Sequence, residues 1–400
     1  MRAITAGDFL SVDGKGQMIK RSGEKILLRG VNLGGWLIQE SWMCPVNGRD
    51  KTWANLDSLE ELRTRGLSEA QVQALFDSYQ DNWLTEYDLD IMAAGGCNCL
   101  RVPFWYRNFM KNDRGDWLAE CLDDNPGIKR LDWVVAEAGK RGMYSILDMH
   151  GCPGGQCKAH CCGTWGRNEL YTNELYRDVM KGLWVAIAKR YRDNPAVAAY
   201  DIMNEPNNND DYAAYPPNNW DANDEYSWRL TNRVYREMIR AIRAVDPAHA
   251  IAVEGIWSIT NLPDPRAEGW DNMMYQLHLY DNTEDFRLLV KQLAGICAGY
   301  GVAPYVGEFW NLDGIGLCEE SGVHWSLWSY KSGKPAKNSA WFSKDCEIAD
   351  TTRDSYEEML RKWGTTLRTE NGFACNQHII DRVKRAYFHI NERRTWYGES

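Results

Sequence analysis

Ala196-Val197-Ala198-Ala199-Tyr200-Asp201-Ile202-Met203-Asn204-Glu205-Pro206 is a short apolar run that closes on a carboxylate. The same figure returns at Val302-Ala303-Pro304-Tyr305-Val306-Gly307-Glu308-Phe309-Trp310. A charged side chain at the end of a fully covered strand is unfavourable unless partners receive it. Two such placements suggest two carboxyl groups converging on one site. A pair of that kind is the equipment for cutting a glycosidic bond.

Working outward from these two runs, short β-prone segments alternate with longer amphipathic ones. The expected strands are 26–32, 98–102, 144–149, 198–203, 250–254, 274–279, 304–307 and 324–328. Apolar residues at three and four spacing predict helices over 83–94, 131–140, 170–192, 228–245 and 285–298, with another after Thr351 and a terminal one over 377–391. Stop signals follow three of them: Gly95-Gly96, Gly142 and Asp193-Asn194-Pro195. Eight strands alternating with helices read as an α/β protein, a (β/α)8 TIM barrel with elaborated βα loops. Its catalytic groups are expected at the C-terminal strand ends, where Glu205 and Glu308 stand after strands four and seven. The intervals 255–271 and 310–322 look too short or too Pro/Gly-rich for more than a single helical turn each. With no Ser/Pro-rich linker and no internal repeat, residues 1–400 are expected to form one catalytic barrel domain.

Four hundred residues at 44% apolar composition can bury the core of such a barrel. A formal net charge of −10 offers no basic field for phosphates, which argues against nucleic acid and anionic membrane surfaces as partners. Neutral substrates fit better. Nineteen Trp and twenty Tyr are many for this length, and they divide between core filling and flat platforms that stack on sugar rings. The first residues lack the basic-then-apolar pattern of a secretory signal, and no apolar run reaches membrane-spanning length. The expectation is a cytoplasmic protein, or a secreted one whose signal is absent from the chain.

Other polar residues also sit at expected strand ends: Arg101, His150, Asn204, His278, Tyr280 and Trp328. Each alone could be a satisfied core residue, and the two glutamates could be buried structural ion pairs. Together they describe one rim. At this point the chain resembles glycoside hydrolase family 5, retaining β-glycosidases built on (β/α)8 barrels. The resemblance runs from Arg29-Gly30-Val31-Asn32 to Trp328, and Asn204-Glu205-Pro206 and Gly307-Glu308-Phe309 are its most specific parts.

The resemblance implies that Glu205 is the general acid/base and Glu308 the nucleophile. Arg101 and a hydrogen bond from Tyr280 would favour the charged form of Glu308, and the charge of Glu308 would help raise the pKa of Glu205. Asn204 would bind the sugar 2-hydroxyl, His150 and His278 would hold hydroxyls or orient the carboxylates, and Trp328 would floor the sugar site. Neither metal nor organic cofactor is implied.

Loops choose the polymer. Gly34-Gly35-Trp36-Leu37-Ile38-Gln39-Glu40-Ser41-Trp42 and Trp83-Leu84-Thr85-Glu86-Tyr87-Asp88 look like segments of the exo-β-1,3-glucanase and β-glucanase branch of the family. They favour β-linked glucan or gluco-oligosaccharides as substrate, with Trp36, Tyr212 and Trp220 as candidate sugar-contacting aromatics. An endo-acting cellulase, a mixed-linkage β-glucanase, a β-mannanase and an inactive carbohydrate-binding barrel are the alternatives. After strand three comes Cys152-Pro153-Gly154-Gly155-Gln156-Cys157-Lys158-Ala159-His160-Cys161-Cys162. It admits three readings: reduced Cys packed as small apolar groups, disulfides, or a structural zinc on Cys152, Cys157, Cys161 and Cys162, with His160 as a further candidate ligand.

Overall fold

Eight parallel strands close on themselves in chain order: Arg29–Asn32, Cys99–Trp105, Tyr144–Gly151, Val197–Asp201, Ala250–Glu254, Met273–His278, Ala303–Glu308 and His324–Leu327, the last pairing with the first. This computed structural model describes residues 2–47, 53–208, 225–255 and 258–396. Parallel strands covered on both faces require apolar runs rather than alternation. Accordingly, every residue of the third to sixth strands is buried.

Two cores divide the apolar residues. Inside the barrel, toward the N-terminal strand ends, small Ala198, Ala199, Ala250, Ala252 and Ala303 leave room for Ile146, Met274 and Tyr305. An antiparallel hairpin, Leu10–Val12 with Met18–Lys20, adds Leu10 and Met18 to that cluster and stoppers the N-terminal mouth. The opposite rim stays available for chemistry. Between barrel and helices lies the larger core, to which helices contribute pairs one turn apart, such as Leu131 with Val135 and Leu183 with Ile187.

The helices are α1 (Asn55–Thr64), α2 (Glu69–Trp83), α3 (Glu86–Ala94), α4 (Pro126–Lys140), α5 (Glu174–Tyr191), α6 (Glu225–Arg243), α7 (Pro265–Glu268), α8 (Thr283–Tyr300), α9 (Leu312–Ser321), α10 (Tyr356–Lys362) and α11 (Gln377–Trp396). Two expectations are corrected. The helix read over 83–94 starts three residues later, as α3, because the Thr85 N–H donates to the Asp88 carboxylate at 2.7 Å, as in a capping box, while Trp83 ends α2. The interval after strand seven is a ten-residue helix, α9, rather than a single turn. Asn311 caps its start, and Gly322 ends it in the left-handed conformation. Among the described residues no helix is long and apolar enough to cross a membrane.

Candidate active site

Strand two runs on to Trp105, so Arg101 lies mid-strand rather than at an end, and its guanidinium is fully buried inside the barrel. A buried cation needs partners. Arg101 donates to Asp201 Oδ2 at 2.9 Å, Asn32 Oδ1 at 3.1 Å, Asn204 Oδ1 at 2.9 Å and Glu308 Oε1 at 2.6 Å, and lies 3.1 Å from Asp148 Oδ1. One guanidinium thus ties strands one, two, three, four and seven together. Burial pushes the Asp201 carboxyl up to about 7, against the pull of Arg101, and its other oxygen accepts from Gln276 Nε2.

The other oxygen of Glu308 accepts from the Tyr280 hydroxyl at 2.7 Å. Tyr280 keeps its proton, because burial and then the neighbouring Glu308 raise it well above the usual phenol range. Glu308 therefore has one strong donor on each oxygen. Gly307 precedes it for a steric reason: a Cβ there would fall 2.2 Å from Gln276 Oε1 and 2.9 Å from His278 Nε2.

Glu205 sits just beyond strand four with a φ of 42°, a region L-residues seldom occupy, and its N–H donates to Glu254 Oε2 at 2.6 Å. His278 Nδ1 lies 2.9 Å from Glu205 Oε1 and 3.5 Å from Glu308 Oε2. The two carboxyl oxygens can therefore be no farther apart than the sum of those distances. The two carboxyls thus converge on one imidazole, as a pair acting on one glycosidic bond must. Burial pushes His278 down to about 3, so its imidazole is neutral, and the tautomer with the proton on Nδ1 donates to Glu205.

The Glu205 carboxyl is raised above its usual range, chiefly by burial. His150 and Arg101 oppose the shift and Glu40 adds to it. His150 accompanies the cluster from strand three, with Nδ1 2.8 Å from Asp148 and its ring stacked on Trp328 at 5.5 Å. Burial opposes charge on His150, yet Asp148 overcomes it and raises the imidazole to about 9.

No disulfide crosses the loop after strand three. All four of its Cys are free thiols. Among the described residues, the only cluster of three metal-type ligands is Glu205, Glu254 and His278, so the sulfurs of Cys152, Cys157, Cys161 and Cys162 do not assemble a zinc cage. His278 Nδ1 lies 2.9 Å from Glu205 Oε1 and 3.5 Å from Glu254 Oε1, and the Glu205 backbone N–H donates to Glu254 Oε2. A buried amide anchors the loop instead: Gln156 Nε2 donates to the carbonyls of His150 at 2.7 Å and Asn204 at 2.9 Å. Cys162 meets the carbonyls of Cys157, Ala159 and Thr164, and Cys152 meets that of Met149.

The structure thus brings together Glu205, Glu308, Arg101, His150, Asn204, His278, Tyr280 and Trp328. It does not bring Trp36, which is 2% exposed, donates to the Gln80 carbonyl and packs edge-on against Trp133. The first loop turns that indole inward, away from any sugar. Tyr212 and Trp220 lie outside the described residues.

Sequence reading missed Glu254, although Ala250-Ile251-Ala252-Val253-Glu254 is a third apolar run closed by glutamate. Burial, then the adjacent Glu205, raises Glu254 well above its usual range. Also missed was Glu40, buried yet drawn below its usual range by His160 at 3.4 Å and Trp42 at 2.9 Å. Around the rim Trp42, Trp165 and Trp310 are exposed, and Trp310 lies against Tyr280 at 4.6 Å.

Residues 60–341 match the family model of cellulase (glycosyl hydrolase family 5). The chain belongs to that family. A β-xylosidase of Phanerodontia chrysosporium is 27% identical over 275 residues, 68% of this chain and 52% of that protein. A probable glucan 1,3-β-glucosidase A of Aspergillus niger is 31% identical over 185 residues, 45% of this chain and 41% of that protein. The chain spans about half the length, or less, of these curated relatives. Among solved structures, a rutinosidase from Aspergillus niger superposes with a TM-score of 0.55 at 16% identity, covering 90% of this chain and 98% of the other. An endoglucanase from the hyperthermophile Thermotoga maritima gives 0.52 at 16%, covering 89% and 96%. At such identity these two superpositions speak for the fold alone.

Proposed function

We propose that this barrel is a retaining β-glycoside hydrolase acting on β-linked glucan or gluco-oligosaccharides by double displacement. The observation that carries the reading is the single nitrogen, His278 Nδ1, in reach of both Glu205 and Glu308, which supports two carboxyls near enough to act on one glycosidic bond. Glu308, with Arg101 on one oxygen and Tyr280 on the other, attacks the anomeric carbon. Glu205 gives its proton to the departing glycosidic oxygen. Once Glu308 is esterified, Glu205 takes a proton from water, which attacks the same carbon from the face the leaving group occupied. Configuration is retained.

Asn204 is assigned to the sugar 2-hydroxyl, and its side chain is oriented for this by Arg101. The glucan preference rests on the relatives named glucan 1,3-β-glucosidase, and the exposed rim Trp residues supply stacking faces for sugar rings. The test is hydrolysis of an aryl β-glucoside followed by NMR of the first-formed sugar, then product profiles on laminarin, lichenan, cellulose and mannan. The β-anomer and glucose or short gluco-oligosaccharides from a β-glucan are expected. An α-anomer, or preference for mannan, would overturn the reading.

A further inference from the structure

The Cys-rich loop has a feature the reaction above does not use. Of its four thiols, three have a backbone carbonyl within contact, whereas Cys161 faces a carboxylate, its Sγ 3.7 Å from Glu205 Oε2. The other oxygen of Glu205 is taken by His278 Nδ1 at 2.9 Å. We infer that Cys161 is a positioning residue for the acid/base, its thiol donating to Oε2 so that His278 and Cys161 together fix the Glu205 carboxyl in the cleft. This rests on the assignment of Glu205 as acid/base.

Three observations support the role. The loop is anchored by Gln156 on the carbonyls of His150 and Asn204, the residue before Glu205, so the thiol and its target share one support. Cys157 Sγ lies 3.8 Å from Cys161 Sγ, which lets Cys157 donate to that sulfur and leaves the Cys161 proton for Glu205. Finally, although the contact with Cys157 works the other way, burial and the charge of Glu205 push the Cys161 thiol above its ordinary range. It stays protonated, a donor and not a competing anion.

Donation to an ionised carboxyl favours ionisation. Around Glu205 the titratable and charged groups are His278 and Glu254 from neighbouring strands, Arg101 and His150 from within the barrel, Glu308 and Tyr280 across the cleft, and Glu40 and His160 on the rim. Burial and Glu40 raise Glu205, and the Cys161 thiol works against them. Without the thiol, Glu205 holds its proton to higher pH.

The experiment compares Cys161→Ala with Cys161→Ser, following kcat/KM against pH on phenyl and dinitrophenyl β-glucosides. In Cys161→Ala the alkaline limb, which reports the acid, is expected to move up by roughly half a pH unit. Its rate should fall several-fold on the phenyl substrate, whose leaving group needs a proton, and hold on the dinitrophenyl one. Cys161→Ser, which keeps a donor, restores both. Should the Ala variant not fold, Cys161→Val fills the volume without a donor and carries the same expectation.

An unmoved limb in the donor-less variant, or equal losses on both substrates for Ala and Ser alike, would overturn the role. Azide rescue of Glu205→Ala separates the two levels. Failed rescue displaces the acid/base assignment itself, whereas rescue beside an unmoved limb removes only Cys161.

Discussion

Glu308 and Glu205 stand in one cleft but are treated oppositely by the elements around them. Glu308 ends a strand and receives donors on both oxygens, from a guanidinium buried at the centre of the barrel and from a phenol that keeps its proton. Glu205 lies just past its strand on a left-handed backbone, held by a neutral imidazole, a thiol and the Glu254 carboxyl beneath its N–H. On the proposed roles, the nucleophile Glu308 has surroundings rich in donors, and the proton carrier Glu205 has weakly donating surroundings and is raised chiefly by burial. Separate surroundings are what give two identical side chains different chemistry.

The contrast can be broken most sharply at the nucleophile. Glu308→Gln should cost on the order of 10⁵-fold in kcat, with the circular dichroism spectrum unchanged. Retained turnover would move the nucleophile elsewhere. Glu205→Ala should lose roughly 10²–10⁴-fold on substrates with poor leaving groups, much less on activated ones, and azide should yield a β-glycosyl azide. An α-linked azide would contradict double displacement.

Arg101→Met tests whether the donor-rich side depends on its central cation. It leaves Asp148, Asp201 and Glu308 clustered without it, and urea unfolding should register a loss of about 3–5 kcal/mol. A variant as stable as the parent would show that the cluster does not depend on that charge.

The smallest effect concerns the two histidines, whose shifts have opposite sign. His150 is raised to about 9, so its stabilisation is fully present below its ordinary value near 6.5 and is lost as pH climbs through about 9. His278 is lowered to about 3, so its contribution is lost as pH falls from near 6.5 toward 3. Melting temperature against pH should therefore flatten on the alkaline side in His150→Gln and on the acid side in His278→Asn. Flattening on the same side in both would refute the assignment of opposite charge states.

Much of this is legible in the sequence. Strand five, Ala250–Glu254, was read with its observed bounds, because a buried parallel strand is a short apolar run between turns. The break between α2 and α3 was not, since Leu84-Thr85 interrupts no apolar spacing and only the Thr85–Asp88 capping contact reveals it. Helix α9 was hidden because Gly314 and Gly316 weaken its propensity, while burial of Ile315, Leu317 and Cys318 against its neighbours maintains it.

Trp36 and Glu254 mark the two directions of error at the site. Trp36 stood in a segment that looked like a sugar-binding loop, yet its indole turns into the core. Glu254 carried the same pattern as Glu205 and Glu308 and was read only as part of a strand.

By itself the sequence determined the alternation of strands and helices and the pair Glu205 and Glu308, because apolar run length and the cost of burying a carboxylate are local properties. Only the tertiary structure decided what surrounds each carboxyl. Arg101 reaches Glu308 across the barrel, Cys161 reaches Glu205 from a loop, and Glu40 adds to the rise of Glu205. Those pairings depend on distances between residues far apart in the chain, and such distances exist only once the barrel has closed.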